Sequence, residues 1–183
     1  MNKETNRQIF HVAVGIITLF LLAILGRGFM TAAVFFVIII GTILMNLRIQ
    51  GARIFFVDWF ERLFERADAP LPGWGSAAYA LGVLIALTFL SDSAEIAAVI
   101  YILAFGDAIS TIVGRMGRIK LPYNDKKTVE GSIALFFASL PAYMLIGPLI
   151  VPLAMLAALA ESLPILEDNL IVPIVCTAAL LVL

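Results

Sequence analysis

The feature that most constrains this chain is a succession of long apolar runs. Runs of roughly 17–25 residues, wound as helices, match a hydrocarbon core of about 30 Å. Such runs occupy residues 9–25, 29–47, 75–90, 94–113 and 131–150, and two shorter apolar pieces follow at 151–163 and 170–183. The expected fold is an all-α, polytopic membrane helical bundle of about seven transmembrane segments, built as a single domain over residues 1–183. The last piece has fourteen residues. At the helical rise it reaches only about 21 Å, so it must tilt little, sit where the membrane is thinned or pair with its neighbour as a re-entrant unit.

Composition points the same way. The chain is 62% hydrophobic and 14% charged, against about 45–50% and 25% in soluble domains. Its length suffices for six or seven spanning helices and leaves no room for a second folded domain. Cys176 is the single cysteine, so no intrachain disulfide can form. One histidine and one cysteine argue against a zinc site. The first run lacks a small-residue cleavage site and is expected to be a retained helix. A net charge of −1 gives no reason to expect a nucleic-acid partner. The short final segments would suit a subunit contact, which is compatible with a homo-oligomer.

Residues 53–67 differ in kind. Phe55, Phe56, Trp59, Phe60, Leu63 and Phe64 recur at three- and four-residue spacing, with Asp58, Glu61, Arg62, Glu65 and Arg66 between them. The pattern predicts an amphipathic helix lying in the interface plane, either a plain connector or a substrate-handling element in which Glu61 takes part. The prolines and glycine of residues 68–73 then break it.

With seven crossings, Lys3, Arg7, Arg48, Arg53, Arg62, Arg66, Arg115, Arg118, Lys120, Lys126 and Lys127 fall on one side and Arg27 alone on the other. The positive-inside rule then makes the N-terminus and the loops after the second and fourth helices cytoplasmic, in a multi-pass protein of the cell membrane. Nucleotides are found on that side.

Within this frame the chemistry concentrates between Gly106 and Ser132. Asp107 lies inside an apolar run, roughly 9 Å below its cytoplasmic end. A carboxylate at such depth is by default functional, although pairing with Arg115 or a histidine to hold two helices is the structural alternative. Gly106 permits close approach, and Ser110 and Thr111 add hydroxyls one turn on. Gly114, Arg115, Gly117, Arg118 and Lys120 then form a basic glycine turn of the kind whose amides and cations attract phosphate, or which merely marks topology. Lys126, Lys127, Thr128, Glu130, Gly131 and Ser132 lead into the next helix, whose N-terminal amides favour an anion. A lysine there neutralises a transferring phosphoryl group, and a carboxylate holds Mg2+. The GxxxxGK[ST] spacing of a P-loop is absent. Glu161, Glu167, Asp168 and Asn169 return acids and an amide to the same face, and His11 is a polar cap, a helix contact or a site group.

Four stretches together resemble a known family. Arg7 to Gly15 looks like an RxxxHxxxG opening. Gly106 to Arg115 resembles GDxxASxxGR, with Ile109 at the usual alanine. Lys127 to Ser132 fits K[ST]xEGS, and Ala160 to Pro173 is similar to a closing ExLP…DDNLxVP, with Glu167 where aspartate is frequent. This is the dolichol kinase, phytol kinase and CTP-dependent diacylglycerol kinase family of integral membrane enzymes, distantly similar to phosphatidate cytidylyltransferases.

The resemblance implies phosphoryl transfer from a nucleoside triphosphate, commonly CTP, to the hydroxyl of a membrane isoprenoid alcohol or diacylglycerol. It implies functional positions for Asp107, Lys127, Glu130, Glu161, Asp168 and Asn169. The expectation is that Mg2+ bridges the phosphates to Asp107 and to at least one of Glu130, Glu161 and Asp168. Lys127 would neutralise charge, and Asp107 or Asp168 would orient or deprotonate the alcohol. A lipid cytidylyltransferase and a small membrane transporter using Asp107 are the competing readings.

Overall fold

The computed structural model describes residues 3–64 and 69–183. Its first helix, α1 (Lys3–Ile49), is interrupted at Gly26, whose φ of 74° and ψ of 169° leave helical geometry. That left-handed φ is one a side chain would resist. The break gives two arms of about 35 Å each, enough to cross a bilayer. The arms double back on one another, because α2 (Phe55–Phe64) reaches both ends of α1. Its Phe60 and Phe64 rings lie 5.1 and 4.6 Å from that of Phe10, while its Asp58 and Glu61 pair with Arg48 at 3.1 and 3.3 Å. Helix α2 is the expected amphipathic segment. The stretch 65–68, which the expectation carried to Ala67 and its break, lies outside the described residues.

Helix α3 (Trp74–Phe89) crosses next. Arg27, beside the break in α1, donates to the carbonyls of Leu87 at 2.8 Å and Thr88 at 3.0 Å, tying that turn to the carbonyl end of α3. Helix α4 (Ser93–Met116) starts at an Asp92 cap that accepts from the Ala94 amide, and it is the most enclosed of the long helices. A two-stranded hairpin follows, β1 (Lys120–Leu121) with β2 (Asn124–Thr128). Helix α5 (Val129–Ser162) is broken at Gly147, where φ is 60° and Pro148 follows, so it too returns on itself. Its second arm (Ile150–Ser162) and α6 (Asp168–Leu180) have thirteen residues each, about 20 Å of helix.

Among the described residues the bundle therefore holds seven apolar segments, in agreement with the sequence. They are the two arms of α1, α3, α4, the two arms of α5, and α6. Three of the described helices are long and apolar enough to cross a membrane before their breaks are counted. Between lipid-facing helices the hydrophobic effect supplies little drive, and close packing through small residues does the work. A Cβ on Gly15 would stand 2.2 Å from that of Ala104, and one on Gly82 would stand 2.5 Å from the Asn169 carbonyl oxygen and Pro173 Cγ. These glycines set how closely α1 approaches α4 and α3 approaches α6. The core around them includes Leu87, Ile96, Ile100, Leu103, Leu135 and Leu153, all fully buried.

Candidate functional site

Asp107 owes its position to a local irregularity. Residues Ile102–Gly106 of α4 form a single π turn, in which the Asp107 amide bonds back five residues to the Ile102 carbonyl. Such a turn inserts a residue and re-aims the helix beyond it. Here it directs Asp107, 3% exposed, toward the ends of α5 and α6. Gly106 allows this packing, since a Cβ there would meet the Ser139 hydroxyl at 3.0 Å.

Lys127 arrives by a different route. It is the last strand residue before Thr128, which caps α5 by accepting from the Gly131 amide at 3.2 Å and donates to the Gly114 carbonyl at 3.1 Å. The hairpin is also pinned to the end of α5. Asn124 donates to the Ser162 carbonyl at 2.9 Å, and the Tyr123 and Ser162 hydroxyls are 2.9 Å apart. Lys127 is thereby placed against Glu161 of α5, with which it forms an ion pair, and against Asp168 of α6 at 2.8 Å.

Asp107, Glu161 and Asp168 each offer an oxygen within 4.8 Å of the others. Ser110, one turn beyond Asp107, donates to Glu161 Oε1 at 2.8 Å. Burial works against the charge on Lys127, but the carboxylates of Asp168, Glu161 and Asp107 together hold its pKa above the ordinary lysine value. Three acids against one lysine still leave negative charge in excess in a region from which water is largely withdrawn. Asp107 Oδ1 and Glu161 Oε2 are buried and accept no hydrogen bond from the described residues. Orphaned carboxylate oxygens of this kind suit a hard divalent cation, which takes oxygen ligands. The donor set thus fits Mg2+.

His11 belongs to the same locality. Its Nε2 donates to the Leu103 carbonyl at 3.2 Å, lies 3.9 Å from Asp107 Oδ2, and its ring meets Tyr79 edge-on at 4.6 Å. Glu130 stands elsewhere. Its carboxylate accepts from the Arg118 amide at 2.8 Å and the Ile119 amide at 3.2 Å, holding the basic turn, and it is not among the three clustered acids. Glu61, on α2, is paired with Arg48 of α1 and is not among the clustered acids. Asn169 donates to the Gly75 carbonyl at 3.4 Å and lines an apolar groove beside α1 and α3 rather than the polar cavity over the acids.

That polar cavity has a volume of about 1090 Å3. Ser110, Gly114, Arg115, Lys120, Lys126, Lys127, Thr128 and Gly131 line it, as the sequence grouped them, together with Glu161 and Asp168. Gly117 and Ser132 do not; a Cβ on Gly117 would meet Thr128 Oγ1 at 2.6 Å, so that glycine serves packing. Gly114 and Gly131 combine both tasks, because each faces the cavity while a Cβ on Gly131 would lie 3.1 Å from the Gly114 Cα. Tyr123, Asn124 and Ser162 were not singled out in the sequence. Their role is a tertiary contact between hairpin and helix end, and no local pattern signals it.

Beside the polar cavity lies a mainly apolar groove, of about 560 Å3, between the arms of α1, α2 and α3. His11 lines it, and Arg7, Trp74, Lys126 and Glu167 line both spaces. The two spaces therefore share a rim.

The chain is similar to several curated proteins. It is 30% identical over 94% of its length to a probable phytol kinase 2, chloroplastic, of Oryza sativa subsp. japonica, covering 64% of that protein. It is 28% identical over 97% of its length to farnesol kinase, chloroplastic, of Arabidopsis thaliana, covering 65%. It is 35% identical over 56% of its length to an uncharacterised protein of Methanocaldococcus jannaschii, again covering 56%. The chain thus spans just under two thirds, or less, of these relatives. No family model matches it, and no solved structure does.

Proposed function

We propose that this chain is a membrane lipid kinase that transfers the terminal phosphoryl group of a nucleoside triphosphate, CTP by resemblance, to the hydroxyl of an isoprenoid alcohol. The observation that carries the reading is the convergence of four side chains from separate elements: Lys127, Glu161 and Asp168 line a polar cavity, Asp107 lies against the two acids from behind, and the cavity shares rim residues with an apolar groove. Similarity along nearly the whole chain to proteins named as phytol and farnesol kinases supports it.

In phosphoryl transfer, positioning and charge stabilisation do most of the work. The triphosphate enters the polar cavity from the cytoplasm, the side on which the basic residues gather. Arg115, Lys120 and Lys126 on the cavity wall offset its charge, and the helix-start amides near Gly131 face its phosphates. Asp107, Glu161 and Asp168 would hold Mg2+, which supplies neutralisation of phosphate charge. Lys127, kept protonated by its acidic neighbours, stabilises charge on the transferring group. The alcohol passes its hydroxyl over the shared rim toward the acids, where an Asp107 or Asp168 carboxylate orients it and accepts its proton.

The test uses purified protein in detergent with a panel of lipid alcohols and CTP labelled on either the α or the γ phosphate. Lipid carrying the γ label, with CDP released, is the expected result, and chelating Mg2+ should stop it. Lipid carrying the α label would replace the kinase with a cytidylyltransferase. Asp107→Asn should reduce turnover about a thousandfold while helix content stays unchanged; normal turnover would remove Asp107 from the reaction.

A further inference from the structure

The groove beneath the shared rim has a direction and an end. On the first arm of α1 its wall is a single-faced stripe, His11, Val14, Thr18 and Leu21, at helical spacing. The returning arm contributes Met30, Ala33, Val34 and Val37, and α3 contributes Tyr79, Ala80 and Val83. Polar groups stand at the His11 end and hydrocarbon at the Leu21 end. There Met30 is 4% exposed and Val83 2%. Just beyond stand buried Leu22 and Leu87, and Arg27 fastens the α1 break to the Leu87 and Thr88 carbonyls. The groove is thus mainly apolar, shares its rim with the polar cavity at one end and reaches buried Met30 and Val83 at the other.

The geometry points to this groove as the seat of a single linear isoprenoid tail, with Met30 and its neighbour Leu21 setting the length accepted. The inference rests on the lipid kinase reading and adds to it the substrate's chain number and size. From His11 to Leu21 the wall runs ten residues, about 15 Å of helix. An extended chain advances about 1.2 Å per bond, judged from the reach of about 3.5 Å over the three bonds of a peptide residue. The groove therefore takes about twelve bonds, or three isoprene units of four main-chain carbons, and a fourth unit only by bending or by displacing Met30. A length of about twelve bonds is the span of one tail, so on this inference no place is left for the second chain of a diacylglycerol.

The experiment compares kcat/KM for geraniol, farnesol, geranylgeraniol, a long polyprenol and diacylglycerol. Wild type should favour farnesol, with geranylgeraniol second. Met30→Ala, which opens the capped end, should raise the geranylgeraniol-to-farnesol ratio about tenfold, the scale of a few methylenes in an apolar pocket. Ala33→Leu, one turn nearer the rim, should move preference the opposite way, toward geraniol, and it carries the test alone if Met30→Ala fails to fold. Phe36→Ala, on the same arm but 60% exposed and outside the groove, should leave the ratios unchanged. Unchanged ratios in both groove variants of an active enzyme would overturn the inference alone, and a wild-type preference for diacylglycerol would overturn it together with the isoprenoid acceptor. Absence of phosphorylation of every alcohol would instead overturn the kinase reading beneath it.

Discussion

At the base of the polar cavity Lys127, Ser110, Glu161 and Asp168 are joined side chain to side chain, each fixed by a partner from another element. Along the apolar groove the polar side chain Thr18 turns back on its own helix, bonding the Val14 carbonyl at 2.8 Å, and the walls are held by shape. The cavity is organised by charge and hydrogen bonds and the groove by helix packing. Directional bonds fix a geometry but fail together when one partner goes. Packed walls tolerate substitution and change dimension gradually. Perturbations of the two regions should therefore differ in kind as well as size.

The sharpest way to break the comparison is Lys127→Ala. It leaves Glu161 and Asp168 facing one another without a cation, which should reduce turnover about a thousandfold and destabilise the fold by about 3–5 kcal/mol. Turnover and thermal unfolding, measured together with and without added Mg2+, check it; added Mg2+ should restore stability more than activity. Activity retained near the wild-type level would mean that the acids are structural.

Gly82→Ala tests the place where the two regions meet. The added methyl would press on the Asn169 carbonyl and Pro173 and push α6, which starts with Asp168, away from α3. A loss of about 1–3 kcal/mol is expected from such overpacking, with a fall in kcat rather than in KM for the nucleotide alone. Thermal unfolding and steady-state kinetics measure both, and full stability would show that the crossing has slack.

The smallest effect expected is that of Asn124→Ala. It removes one hydrogen bond between the hairpin and Ser162, worth about 0.5–1.5 kcal/mol. Turnover should fall about three- to tenfold as Lys127 loses registration, while lipid chain-length preference stays constant. A shift in that preference would contradict the separation of the two regions.

Much of this was legible in the chain. The helix count followed from apolar run length, because lipid demands it, and the seven segments lie where the runs lie. The break at Gly26 falls between two runs, whereas that at Gly147 falls inside the run 131–150, three residues short of its expected end. Asp107 was identifiable as a charge that hydrocarbon would not keep idle, Lys127 as a lysine leading into a helix start, and Glu161 and Asp168 as acids returned to the same face; their meeting is consistent with those arguments. Glu130 was not distinguishable from them, because an acid in the first turn of a helix looks the same whether it faces a ligand or the preceding loop's amides. The π turn was invisible, since nothing in Ile102–Gly106 differs in type from an ordinary helical stretch. The groove was invisible too. Its walls read as the same uniform apolar faces that meet lipid, and only the return of α1 at Gly26 turns two of them toward each other.

The rim formed by Arg7, Trp74, Lys126 and Glu167 separates two solvents by the width of a few side chains. On the proposed reading, a water-soluble reactant on one side and an oil-soluble one on the other would meet across it, and neither would have to leave the phase in which it dissolves. Such a reaction would call for no carrier to ferry lipid into water and no gate to admit water into lipid.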